Sequence, residues 1–144
     1  DGVLIAYTSV YGNTKKAVLS LADALRAKGC PKVVVNDLSR CDMAEAVEDA
    51  FRYSRLVVAA ASYDADVFPP MHDFLHHLAI KNYSKRRIGI IENGSWAPSA
   101  GKAMRKIIDT FKDVTVADTM VTIVSTLKPT DTPALERLAE EVLA

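Results

Sequence analysis

Five short runs of the chain are apolar at most positions. They are residues 3–7 (VLIAY), 32–36 (KVVVN), 55–60 (RLVVAA), 86–92 (RRIGIIE) and 114–124 (VTVADTMVTIV). Between them the apolar positions recur at helical spacing. Ala17, Val18, Leu21 and Leu25 share one face of residues 14–28, and Gly29 is the stop. Residues 42–52 read as a second helix, and Pro69 opens a third to about Ile80. Pro98 or Ser99 opens one that runs to Phe111, and Asp131 with Pro133 opens the last, to the end. Middle strands that are apolar throughout, without alternation, are expected where helices cover both faces of a sheet. The alternation of strand and helix therefore predicts an α/β fold with a parallel sheet and right-handed crossovers. No repeat, low-complexity tract or linker interrupts the pattern.

Composition changes this picture little. A chain of 144 residues, 49% hydrophobic, suits one domain with a single core. Lys plus Arg equals Asp plus Glu at 18 each, so no basic field argues for nucleic acid or an anionic membrane. Cys30 and Cys41 are the only cysteines and form neither a CxxC nor a zinc spacing, which fits idle thiols in a reducing cytoplasm. No apolar run approaches a membrane span, and no signal peptide is visible. The chain opens on Asp-Gly and not Met, as a processed chain or an excised domain would.

Candidate chemistry gathers where the first strand meets the first helix, in TSVYGNTKK (residues 8–16). In a doubly wound sheet, ligands bind beyond the carboxyl ends of the strands, where the strand order reverses. N–H groups in this loop and at the helix start would face an anion, favoured by the helix dipole. Ser9 and Thr14 add hydroxyls, and Gly12 permits a positive φ and a close backbone approach. Lys15 and Lys16 in the first helical turn oppose the dipole. They either attend an anion or point into water. The predicted element is a phosphate cradle, set against a plain capped turn. GxxxxGK[ST] is absent, and so is GxGxxG, since Gly12 is the only glycine of the loop. Asp37, after the second strand, reads as a turn residue. A monophosphate remains.

Two further loops are expected at the same sheet edge: ASYDADVFPP (61–70) and NGSWAPS (93–99). The only tryptophan, Trp96, stands in the second, and Tyr11 and Tyr63 add two rings. Their alternative role is to cover helix ends. A phosphate cradle beside aromatic walls suits a flat aromatic ligand with a monophosphate tail, and FMN fits that description.

These residues also carry a resemblance that covers nearly the whole chain. TSVYGNT resembles the flavodoxin phosphate loop. SYDADVFPPMHDFLHHL and ENGSWAPSAGKAM are similar to the next two loops in the flavodoxin domain of A-type flavoproteins, the flavodiiron oxygen and nitric oxide reductases. The resemblance implies a flavodoxin-like three-layer sandwich of the short-chain type. Its five-stranded parallel sheet has the order 2-1-3-4-5, with helices on both faces. It implies FMN as cofactor, held by Ser9, Val10, Tyr11, Gly12, Asn13 and Thr14. Ser62, Tyr63, Asp64, Ala65 and Asp66 would meet the pyrimidine edge and N5. Asn93, Gly94, Ser95, Trp96 and Ala97 would form the third loop, with Trp96 on a ring face. Two departures stand out. The family usually ends its third strand in Gly, then Ser or Thr, then Pro, where this chain has Ala59, Ala60 and Ala61. The turn YDAD has no Gly, at a place where flavodoxins flip a peptide toward flavin N5. Asp64 and Asp66 would oppose negative charge on the flavin or guide a donor with a basic face. Equally, they would form a solvated turn.

His72 and His76 stand one helical turn apart in HDFLHH, and no carboxylate or Cys completes a metal set with them. In flavodiiron proteins the iron ligands belong to a metallo-β-lactamase-like domain, whose HxExD motif is absent here. The resemblance thus implies the electron-carrying part of a larger protein, or a stand-alone relative. Its implied partners are a diiron domain and an electron donor such as rubredoxin. No catalytic constellation is present, so no turnover is expected in isolation. The competing readings are an NAD(P)H-dependent quinone or nitro reductase of the same fold, and a flavin-free binding module.

Overall fold

The structure, a computed structural model, describes residues 2–9, 12–63, 66–67, 69–94 and 99–144, with the backbone alone at 62, 63, 66 and 67. Its elements are β1 (Val3–Tyr7), α1 (Asn13–Ala27), β2 (Val33–Asp37), α2 (Met43–Arg52), β3 (Arg55–Tyr63) and β4 (Asp66–Val67). They continue with α3 (Pro69–Ile80), β5 (Arg87–Gly94), α4 (Ala100–Ile108), β6 (Thr115–Val124), a 3-10 turn (Pro129–Asp131) and α5 (Thr132–Leu143).

The parallel strands lie in the order β2-β1-β3-β5-β6, which is 2-1-3-4-5 once the two-residue β4 is set aside. Strand pleating sends alternate residues to opposite faces. Leu4, Leu56, Val58, Ile88 and Ile90 pack with Phe74, Leu75, Leu78 and Met104 on the side of α2, α3 and α4. Val3, Ile5, Val57, Ile91 and Val121 pack with Leu21, Leu25, Leu138 and Val142 on the side of α1 and α5. Central strands therefore need apolar residues at every position, which is why they read as continuous runs.

Two features differ from the sequence expectation. The third strand runs to Tyr63, and β4 pairs antiparallel with its end, Ser62 opposite Val67 and Tyr63 opposite Asp66. Part of the expected loop is thus a strand extension and a short return arm. Second, β6 carries a bulge. Ile88 pairs with Val116 but Ile90 with Met120, so the partner strand gains two residues. The polar Asp118–Thr119 interruption of the run falls there. Glu141 of α5 accepts from the Thr119 N–H at 2.7 Å and from its hydroxyl at 2.6 Å, which satisfies the donors the bulge frees. No helix among the described residues is long and apolar enough to cross a membrane.

Candidate cofactor site

The strand order reverses between β1 and β3, and the loop between β1 and α1 leaves from that point. Thr8 N–H donates to the Ala59 carbonyl at 3.0 Å, so the loop starts pinned to β3 by backbone alone. Ala59 and Ala60 are fully buried, the first against the α1 layer and the second against the opposite one.

The loop closes on Gly12. Its N–H donates to Ser9 Oγ at 3.0 Å, and its φ of 83° is left-handed. An added Cβ would meet no atom within 4 Å, so Gly12 is needed for its backbone angle and not for space. Gly12 is also the N-cap of α1, and among the described residues no side chain caps the helix. The first intrahelical bond runs from Lys16 N–H to the Gly12 carbonyl at 3.1 Å. The N–H groups of Asn13, Thr14 and Lys15 precede that ladder and are left for another acceptor.

Hydroxyls supplement these amides. Ser9 Oγ already accepts from Gly12, which leaves its own proton to donate. Thr14, only 1% exposed, accepts from Asn93 Nδ2 at 3.4 Å and keeps its proton in the same way. Thr8, also 1% exposed, has a buried Oγ1 with no partner among the described residues. Lys15 and Lys16 are exposed in the same turn. Uncapped amides, spare hydroxyl protons and nearby cations form a donor set that suits a phosphate.

Asn93 is the penultimate residue of β5 and is 6% exposed. Its amide donates to Thr14 and, at 3.3 Å, to the Ser125 carbonyl, so it ties β5 to α1 and to the end of β6. Its described contacts thus hold the first turn of α1 in place, and Gly94 is the last residue of the strand. Val10, Tyr11, Asp64, Ala65, Ser95, Trp96 and Ala97 lie outside the described residues. For Ser62, Tyr63 and Asp66 only the antiparallel backbone pairing of β3 with β4 is described. Asp37 ends β2 and accepts from the Ser39 N–H at 3.0 Å, the bond of a turn residue.

Sequence reading did not pick out Glu92. It stands one residue before Asn93 on the opposite sheet face and is 9% exposed. Its carboxylate accepts from Gly101 N–H at 2.9 Å and from the Thr122 hydroxyl at 2.7 Å. It therefore joins the end of β5 to the first turn of α4 and brackets the third loop. Gly101 makes this approach possible, because a Cβ there would lie 2.8 Å from Glu92 Oε1 and also overlap the Met120 sulfur. The available signal was a lone acid at the end of an apolar run.

No family model matches the chain, and no curated protein does. Solved structures match it over almost its full length. The rubredoxin oxygen:oxidoreductase of Desulfovibrio gigas superposes with a TM-score of 0.90 at 17% identity, over 98% of this chain and 35% of that one. The flavodoxin of Streptococcus pneumoniae TIGR4 gives 0.87 at 23% identity, over 99% and 98%. The fold is flavodoxin-like. The flavodiiron protein of Giardia intestinalis, at 0.84 and 15% identity, is covered over 36% of its length. The chain thus spans about a third of the flavodiiron structures and nearly all of the flavodoxin. Within the flavodoxin-like fold, the uncapped start of α1 sits at the strand-order reversal.

Proposed function

We propose that this chain binds FMN and carries electrons, and that it serves as the flavodoxin domain of a flavodiiron-type oxidoreductase. It would take electrons from a donor such as rubredoxin and pass them to a diiron site in a metallo-β-lactamase-like domain. The observation that carries the flavin reading is the donor set at α1. Three ladder-free amides, two hydroxyls with spare protons and the orphaned buried Thr8 Oγ1 fit a terminal monophosphate. The likeness to the Desulfovibrio gigas enzyme and the Giardia protein supports the flavodiiron assignment. A stand-alone carrier is the second reading, favoured by the two-way coverage of the pneumococcal flavodoxin.

The cofactor supplies reversible electron uptake when bound. The protein's part is to bind and orient it. Ser9, Gly12, Asn13 and Thr14, with Val10 and Tyr11, would hold the phosphate. Asn93 would fix the Thr14 hydroxyl. Residues 62–66 and 94–97 would meet the ring, with Trp96 on one face. Titration of the apoprotein tests this. Removing the phosphate forfeits charge-assisted bonds worth about 1.5–3 kcal/mol each before compensation. Riboflavin is expected to bind at least about tenfold more weakly than FMN. Equal affinities would overturn the cradle. Trp96 fluorescence is expected to be quenched on FMN binding. With FMN loaded, oxygen or nitric oxide reduction is expected only when a diiron domain is added. Turnover with NAD(P)H and a quinone alone would favour a reductase instead.

A further inference from the structure

Helix α4 presents Lys102, Arg105 and Lys106 to solvent and contains no acid. Arg105 pairs with Asp109 at 2.8 Å, whereas Lys102 and Lys106 have no ion pair among the described residues. Two open grooves flank this ridge. One, about 640 Å³, runs between α3 and α4, where His72 and His76 face Lys102 and Lys106, and among the described residues no carboxylate lines it. The other, about 740 Å³, follows the far flank of α4. Its two carboxylates are already engaged, Glu92 by Gly101 and Thr122, Asp109 by Arg105. The exposed Asp73 of α3 does not line either groove, and the exposed Glu45 and Glu48 of α2 lie on the other side of α3, so among the described residues the unpaired charge on these groove walls is that of the two lysines.

We propose that the α4 ridge and its flanking grooves are the docking surface for an acidic protein electron carrier. The proposal rests on the flavin-carrier reading above. Ser99 lines both grooves and directly precedes α4, at the sheet edge where the cradle lies, so a partner seated on the ridge adjoins the cofactor. Cations on a crest between open grooves suit an extended acidic surface, and their field would steer and orient its approach. The step moves one electron. The partner's metal centre is oxidised, the flavin is reduced, and no covalent bond forms or breaks.

The test uses the FMN-loaded protein. Its visible spectrum is recorded first, so that a failure to hold flavin counts against the carrier reading and not against the surface. Reduced plant-type ferredoxin, an acidic iron–sulfur protein, is then reacted with the oxidised-flavin protein, and oxidised cytochrome c, a basic haem protein, with the same protein after its flavin has been reduced by dithionite, each across a salt series. The ferredoxin rate is expected to fall about tenfold from low to high salt, and the cytochrome rate to stay level or rise. Lys102→Glu with Lys106→Glu should flatten or reverse the ferredoxin slope while FMN affinity and melting temperature hold. Lys102→Gln with Lys106→Gln should give an intermediate slope. Lys32→Glu with Lys81→Glu, the same charge change at the opposite sheet edge, should leave it nearly unchanged. An unaltered slope in the Lys102/Lys106 variants would overturn the proposal. So would a ferredoxin rate that rises with salt in the parent protein. Low-salt self-association lost in the same variants would also overturn it, by assigning the ridge to a second copy.

Discussion

Helices α1 and α4 both begin at the carboxyl edge of the sheet, yet they treat their first N–H groups in opposite ways. In α4 the Gly101 N–H is taken by the buried Glu92 carboxylate at 2.9 Å. Helix α2, at the same edge, is also closed, with Asp42 accepting from Ala44 N–H at 3.0 Å. In α1 no described side chain caps the helix, and the cap position is a glycine. A helix start whose first donors have no described acceptor, beside two that are closed, is the setting in which the helix dipole and free N–H groups favour an external anion. The glycines follow the same division. Gly12 has a left-handed φ and open space, whereas Gly101 has no room for a Cβ.

The largest expected effect comes from opening the closed end. Glu92→Ala leaves the Gly101 N–H and Thr122 hydroxyl without their acceptor in a buried place, at a cost of about 3 kcal/mol. Glu92→Gln keeps an acceptor for Gly101 and should lose only about a third of that. Urea unfolding of both variants decides it, and equal losses would show that the bonds contribute nothing specific. Gly101→Ala follows. Alanine normally favours a helix, but here the Cβ would overlap the Met120 sulfur and crowd Glu92, so about 2 kcal/mol of destabilisation is expected. FMN affinity per folded molecule should change little. A stabilised Gly101→Ala would mean that Met120 yields freely.

At the open end the effect on stability is smaller and the effect on ligand larger. Gly12→Ala meets no atom within 4 Å but must hold φ near 83°, which costs about 1 kcal/mol. Gly12→Asn should cost less, because Asn tolerates that region. If the turn holds the phosphate as proposed, both variants should weaken FMN relative to riboflavin, which lacks that group. A Gly12→Ala protein that keeps full preference for FMN over riboflavin would remove the cradle from the phosphate's recognition.

The contrast between the two ends also accounts for what could be read in the sequence. The glycine turn that opens α1 was legible because Ser9 and Gly12 stand three residues apart and the bond between them is local. The sheet was legible because strands covered on both faces, such as VLIAY, are apolar without alternation. The Glu92–Gly101–Thr122 junction was not, because it joins β5, α4 and β6, and pairing across 30 residues leaves no local pattern. The extension of β3 to Tyr63 was missed because its partner, Asp66–Val67, is only two residues long. The β6 bulge announced itself only as two polar residues inside an apolar run.

The smallest expected effect concerns that bulge, where a carboxylate again closes a backbone donor far from the cradle. Glu141 accepts from both the hydroxyl and the N–H of Thr119, and these two bonds, the hydroxyl first, hold its pKa below the usual value of 4.5. A depressed folded pKa contributes stability that is fully present above the unfolded value. It is lost as pH falls below about 4.5 and through the lower folded value. The residue is only partly buried, so solvent screening limits the contribution to at most about 1 kcal/mol. Glu141→Gln should therefore be slightly less stable than the parent near neutral pH, and the two should converge in acid. FMN affinity should not follow this pH dependence, because Glu141 lies near the end of α5 and bonds Thr119 of β6, away from the start of α1. Unfolding midpoints compared across an acid series would show it. A stability gap that stays constant to low pH would mean that the carboxylate's charge does not contribute, and that closure of the bulge depends on hydrogen-bond geometry alone.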